Sequence, residues 1–230
     1  MSEKNLFTPG PLYEKRKQLL ANLKKLNLKT GDIVFNASNV KGPFGIPFAK
    51  WVQKYTNSKY SHATIMYVDK DEYYAIDVSD YGTRKLRVLD WFDNWDGVDF
   101  CVYRLKNNSV FDELNFKDAI VRFIDEDPSY DFNFNDPNKF YCTESVGKIY
   151  LDCGYDLGGW YLLKDIVPWW FCQIILRFNI LFKWFSDSSL PSDTPIIIVG
   201  NEEKGMRASP LIKKIYEYDG ATDTSNYLKP

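Results

Sequence analysis

Three side chains in this 230-residue chain have the types and settings that acyl-transfer chemistry needs: Cys142, His62 and Asp77. Cys142 follows a loop rich in helix breakers (Asp127-Pro128, Asn133, Asn135, Asp136, Pro137-Asn138) and precedes a helical pattern, Val146, Ile149, Tyr150 and Cys153, that stops at Gly154. It is therefore expected in the first turn of a helix. There unpaired N–H groups and the positive end of the helix dipole favour the thiolate, the reactive form of cysteine. His62 is the sole histidine, so any cysteine–histidine mechanism must use it. It opens the strand pattern His62–Val68, in which His62, Thr64 and Met66 share a face. A hairpin closing symmetrically about Asp69-Lys70 sets His62 directly opposite Asp77, and a carboxylate there can hold one ring nitrogen and leave the other for a thiol. A slip of one residue would turn Asp77 to the other face.

Each residue also has a plainer reading. Cysteine is often a small buried apolar residue, a strand-end histidine is often only hydrogen-bonded, and a strand carboxylate is often solvated. The combination favours catalysis. The other thiols are poorer nucleophiles: Cys101 lies inside a strand, Cys153 at a helix end where the dipole opposes a thiolate, and Cys172 in an apolar stretch. Ser145-x-x-Lys148 resembles a serine-nucleophile spacing but falls inside the helix beside a better nucleophile, and Glu144 reads as a favourable first-turn charge. A single histidine without Cys-x-x-Cys gives no zinc-type ligand cluster, so neither metal nor other cofactor is expected.

The elements that must position these groups follow from periodicity and breakers. Pro11–Leu26 reads as an amphipathic helix with Leu12, Leu19, Leu20, Leu23 and Leu26 in one stripe. Gly31–Asn36 is a short strand, Phe48–Tyr55 a helix, Ser61–Val68 and Glu72–Ser79 a hairpin. Arg84–Val88 is a further short strand, Leu89–Trp95 a helical turn, Val98–Leu105 a strand. Phe111–Asp125 is a helix, with Leu114, Ala119, Ile120, Phe123 and Ile124 at helical spacing. Pro195–Val199 is a last strand. The order of helices, strands, then helices favours an α+β fold. Residues 1–27 are assigned to the N-terminal helix, 28–155 to the catalytic core, 156–193 to an apolar helical insertion, 194–219 to a return to the core and 220–230 to a flexible tail.

Hydrophobic content of 45% and charged content of 26% suit a globular chain with a real core. A net charge of −2 and a pI near 5.6 leave no footprint for nucleic acid. The N-terminus has no apolar run of secretory type, so a cytoplasmic location with free thiols is expected. Trp160–Phe185 is the most apolar stretch, and within it Val167–Phe185 would span about 28 Å as a helix, yet Arg177 sits in its middle. Gln173, Arg177, Asn179 and Lys183 fall on one arc and the opposite side is aromatic and aliphatic. That pattern suits a lid or interfacial helix rather than a span. Two occupants of its apolar side stay open: the core or a partner subunit, or a membrane or acyl chain met by Trp169–Phe185.

Taken together, Gly31-Asp32-Ile33-Val34-Phe35, Lys59-Tyr60-Ser61-His62-Ala63, Tyr74-Ala75-Ile76-Asp77, Tyr130-Asp131-Phe132 and Tyr141-Cys142-Thr143-Glu144-Ser145-Val146 resemble the YiiX-like proteins. These are circularly permuted papain-like cysteine hydrolases of the NlpC-related superfamily, in which histidine and carboxylate precede cysteine along the chain. The resemblance covers roughly residues 28–155 and extends to Thr194–Tyr218. It implies a permuted papain-like fold, with an antiparallel sheet or partial barrel packed on helices. It further implies Cys142 as nucleophile, His62 as general base and Asp77 as orienting group, where the family usually has Glu. The Cys142 N–H would form part of an oxyanion hole, and Tyr60 and Tyr141 are candidates for a second donor or a pocket wall, a packing role being open for Tyr60. The implied substrate is an amide- or acyl-containing small molecule or peptide. Amide hydrolysis is the first expectation; lipid acyl transfer by the same thioester, or a lipid-binding module with a spent site, are the alternatives.

Overall fold

The structure is a computed structural model, and it describes residues 11–37, 48–79, 82–91, 99–106, 109–130, 138–168, 170, 193–220 and 224–227. Among them a seven-stranded, wholly antiparallel sheet runs in the order β4-β3-β2-β1-β5-β8-β9. Its strands are β1 (Ile33–Asn36), β2 (His62–Asp69), β3 (Glu72–Ser79), β4 (Gly82–Arg87), β5 (Phe100–Leu105), β8 (Ile212–Asp219) and β9 (Thr224–Tyr227). A separate pair is formed by β6 (Trp160–Leu162) and β7 (Pro195–Ile197). The sheet is open rather than a closed barrel, and the α+β expectation holds.

Helices cover both faces of the sheet, which explains why β1 is apolar at Ile33, Val34 and Phe35 alike. On one face Ile33, Phe35, Ala63, Ile65 and Ile76 meet Phe116, Ala119, Ile120 and Phe123 of α4 (Val110–Glu126) and Val146, Ile149 and Tyr150 of α5 (Cys142–Asp152). On the other, Val34, Met66, Ala75 and Val102 meet Leu19 and Leu23 of α1 (Pro11–Lys25) and Val88 and Trp91 of α3 (Val88–Trp91). Among the described residues the remaining α-helices are α2 (Phe48–Thr56) and α6 (Leu163–Ile166). Ser109 and Asp112 form a reciprocal capping box that starts α4. Leu114, placed by its spacing on the buried side of that helix, is instead exposed, and Phe116 takes the core position. Phe116 fixes the nature of residue 31 too: Gly31 has φ +94°, and a Cβ there would lie 2.6 Å from the Phe116 ring.

Three further expectations differ from the structure. The β2–β3 hairpin turns at Lys70-Asp71, both at positive φ, with Asp69 opposite Glu72. That is a register two residues away from a turn about Asp69-Lys70, because a two-residue turn with both central residues left-handed matches the strand twist. Trp160–Leu162, assigned to the insertion, is strand β6 and pairs with β7. Thr224–Tyr227, assigned to a flexible tail, is strand β9, whose backbone groups pair with the otherwise open edge of β8. The apolar stretch 171–192, like Trp169, lies outside the described residues. No helix among the described residues is long and apolar enough to cross a membrane.

Candidate active site

The N-terminus of α5 is anchored before it is aimed. Tyr141 is its N-cap in extended conformation and makes no side-chain cap bond, which leaves the first-turn N–H groups at Cys142 uncapped by that residue. Phe140 bridges Tyr130 and donates its N–H to the Ser129 carbonyl, closing the base of the loop that delivers the helix. Two first-turn side chains grip one residue of β7: the Ile197 N–H donates to the Tyr141 hydroxyl at 2.5 Å, and the Thr143 hydroxyl donates to the Ile197 carbonyl at 2.7 Å. Gly147 permits this approach, since a Cβ there would stand 3.0 Å from the Ile197 side chain.

The sheet opens where α5 meets it. The β2–β3 ladder is paired from Asp69↔Glu72 up to Ile65↔Ile76 and goes no further, while β2 stays with β1 as far as Asn36↔His62 and β3 stays with β4 as far as Ser79↔Gly82. The Met66 N–H donates to Asp32 on the β1 side, so by alternation the Ala63 N–H points toward β3. With the ladder ended, that N–H is available, and it donates to the Cys142 sulfur. Thiol and imidazole meet at the same split, where His62 is hydrogen-bonded to Cys142. The other side of the ring is held by Asp77, with His62 Nε2 2.7 Å from Asp77 Oδ1.

Asp77 therefore reaches His62 from beyond the last paired rung, Ile65↔Ile76, although the β2–β3 register is two residues from the expected one. A slip of two residues preserves the face of every side chain, and the imidazole spans the diagonal. The second carboxylate oxygen, Oδ2, accepts a hydrogen bond from Arg84 Nη2 at 2.7 Å, and Arg84 also reaches the Ser79 hydroxyl. Arg84 stands directly across from Asp77 in β4. The sequence reading passed over it. The signal was the short spacing from Ser79 to Gly82, which pair with each other, so that β4 is the neighbour of β3 and acid stands across from base.

Electrostatics follow from these contacts. Burial pushes the Asp77 carboxyl up, but His62 and then Arg84 outweigh it and hold the group at about 2. Burial pushes the His62 imidazolium down; the Cys142 and Asp77 charges reverse this and carry it up to about 10. For Cys142 burial opposes ionisation, while the imidazolium, its hydrogen bond and the Ala63 N–H bring the thiol below its ordinary value. The three groups favour a thiolate–imidazolium–carboxylate row.

The two tyrosines take other places. Tyr60 is fully buried, donates its hydroxyl to Glu217 Oε1 at 2.9 Å and stacks under the Arg207 guanidinium, so it packs the core instead of donating into the site. Tyr141 spends its side chain on Ile197. Asn36 was not anticipated: it faces His62 across the β1–β2 ladder, is buried, and its Oδ1 has no hydrogen-bond partner among the described residues. Cys101, Cys142 and Cys153 are free thiols. Burial, the largest influence at both Cys101 and Cys153, pushes Cys101 up to about 12 and Cys153 to about 11, so the contrast with Cys142 is one of environment.

Comparison with known proteins places this geometry in context. No curated protein sequence matches the chain. A crystal structure described as metalloprotein yiiX from Escherichia coli O157:H7 is similar over 81% of this chain and 96% of its own, with a TM-score of 0.66 and 20% identity, a likeness of fold. The family model for permuted papain-like amidases, YaeF/YiiX, C92 family, matches residues 27–168, more than half the chain and inclusive of β1–β5 and α5. This chain thus belongs to the permuted papain-like amidases of the YaeF/YiiX, C92 family, a family of cysteine hydrolases.

Proposed function

We propose that this chain is a thiol amidase in which Cys142 attacks the carbonyl of an amide-containing small molecule or peptide. The reading rests above all on one observation: a single imidazole hydrogen-bonded to the thiol at a helix start and to a buried carboxylate. The Cys142 thiolate adds to the carbonyl carbon, and the negative oxygen that develops is met by first-turn N–H groups of α5, that of Cys142 first. The His62 imidazolium gives its proton to the leaving amine as the C–N bond breaks, leaving a thioester on Cys142 and a neutral imidazole. Acylation also removes the thiolate, the strongest influence raising His62, so the ring becomes a competent base. It then takes a proton from water as the hydroxyl attacks the thioester, and the acid leaves as the thiolate and imidazolium return.

A metal role does not fit this donor set, although the similar yiiX structure is described as that of a metalloprotein. Among the described residues no group of three His, Cys, Asp and Glu side chains is arranged to hold an ion. His62 Nε2 is committed to Asp77, and the free oxygen of Asp77 is committed to Arg84, which leaves one ring nitrogen and one sulfur. Catalytic zinc sites use about three protein ligands.

Intact-mass spectrometry on the chain incubated with a library of amide and ester acyl donors tests the reading. A mass increment equal to the acyl group, mapped to Cys142 and lost in Cys142→Ser, is the expected result. Acyl adducts spread over Cys101, Cys142 and Cys153 alike would overturn it. Preference for amide over ester donors separates hydrolysis of amides from lipid acyl transfer.

A further inference from the structure

We propose that Arg84 is a positioning residue of this site, whose charge keeps Asp77 ionised during the half of the cycle in which His62 is neutral. The proposal rests on the amidase reading of Cys142, His62 and Asp77. In the resting row the buried Asp77 carboxylate is flanked by two cations, the imidazolium on Oδ1 and the guanidinium on Oδ2. Once His62 has given up its proton, one of them is gone. A carboxylate as buried as Asp77, at 4% exposure, is poorly tolerated with a neutral partner alone, and would draw the next proton back onto the Asp–His pair. Arginine cannot lose its charge, so Arg84 supplies a counter-ion that does not alternate.

The surroundings leave this task to Arg84. Among the described residues, the charged groups that act on His62 and Asp77 besides each other are Cys142 from α5 and Arg84 from β4, while β1 contributes the neutral Asn36 beside His62. The strand carrying Arg84 is fixed on its far side as well. Its Thr83 hydroxyl donates to the Pro128 carbonyl at 2.9 Å, at the foot of the loop leading to Cys142. Sharing a carboxylate between a fixed and an alternating cation also sets a sign. Arg84 weakens the hold of Asp77 on the imidazolium, and so lets His62 become a base at lower pH than Asp77 alone would allow.

The sole histidine makes the test direct. Ring resonances of the full chain carrying isotope-labelled histidine report His62 without interference, and a Cys142→Ala background removes the coupled thiol. In that background Arg84→Met is expected to raise the pH of ring deprotonation by about one unit, and Arg84→Lys to leave it nearly in place. Should Arg84→Met fail to fold, Arg84→Gln retains a donor for Oδ2 without the charge and carries the same expectation. In the chain with Cys142 present, the acid limb of deacylation of the p-nitrophenyl acetate acyl-enzyme should move up by a similar amount. A ring titration that stays put or falls in a folded Arg84→Met chain overturns the proposal. Loss of the amidase reading would appear elsewhere, as absence of a Cys142 thioester in the unaltered chain.

Discussion

Two buried aspartates of the same sheet meet arginine in different ways. Asp32, at the start of β1, is fully enclosed and receives Arg104 as a fork, Nε to Oδ1 at 2.8 Å and Nη2 to Oδ2 at 2.7 Å, with the Lys29 N–H added on Oδ2. Asp77 gives Arg84 one oxygen and keeps the other for His62. Burial pushes the Asp32 carboxyl above the usual range despite Arg104, whereas Asp77 is held at about 2 because His62 and Arg84 together outweigh burial. A saturated pair locks β1 to β5 and has no valence left for chemistry. A carboxylate split between two cations from separate strands can follow the protonation of one while the other restrains it.

The contrast can be broken by mutation, and the largest effect should fall on the saturated pair. Arg104→Met strands a charge with no exposure, and a loss of about 3–5 kcal/mol in urea denaturation is expected. Arg84 is nearly one-third exposed and Asp77 retains His62, so Arg84→Met should cost no more than about 1 kcal/mol. Similar losses for both would show that the two pairs are equivalent supports. Next comes reactivity. His62→Ala removes the cation beside the thiol, and iodoacetamide alkylation of Cys142 near pH 7 should slow at least about 30-fold as the thiol returns to an ordinary or higher pKa. Arg104→Met, where it folds, should leave that rate alone.

A third effect is a displacement in pH. His62 is raised from 6.5 to about 10, so its contribution to stability is complete below pH 6.5 and is lost as pH rises through about 10. Asp77→Asn removes one cause of that rise. The imidazolium should then deprotonate at lower pH, with the alkaline fall in thermal stability moving the same way; an unmoved fall would mean that Asp77 does not act on the ring. The smallest effect concerns the turn that sets the register. Lys70 and Asp71 both sit at positive φ, and replacing them by Asn and Gly should stabilise the chain by about 1 kcal/mol or less without changing Cys142 labelling.

These residues also mark how far the sequence could be read. Cys142 at a helix start and His62 at a strand start follow from local pattern, because breakers and alternation are written within a few residues of each. The face of Asp77 came out right through a register that was two residues off, since strand geometry repeats at that interval. Arg84 was passed over, and the choice between the two readings of Tyr60 stayed open, because their partners are chosen by topology. Arg84 needs the β3–β4 pairing, and the Tyr60 hydroxyl finds Glu217 across 157 positions. The strands β6 and β9, of three and four residues, are too short to carry a period, and they exist because a partner or an edge was available, whereas β7 falls within the expected strand Pro195–Val199.

The β6–β7 pair has a practical consequence. Leu162 and Pro195 are paired neighbours, so the chain leaves and returns through one narrow neck, and Ile197 beyond that neck is the residue grasped by Tyr141 and Thr143. Leu163 of α6 and Thr194 still belong to the core, so only what lies beyond them can be treated as a cassette. A short turn spliced across the neck should leave the nucleophile helix moored, which makes excision of the aromatic stretch a clean way to ask what that stretch meets.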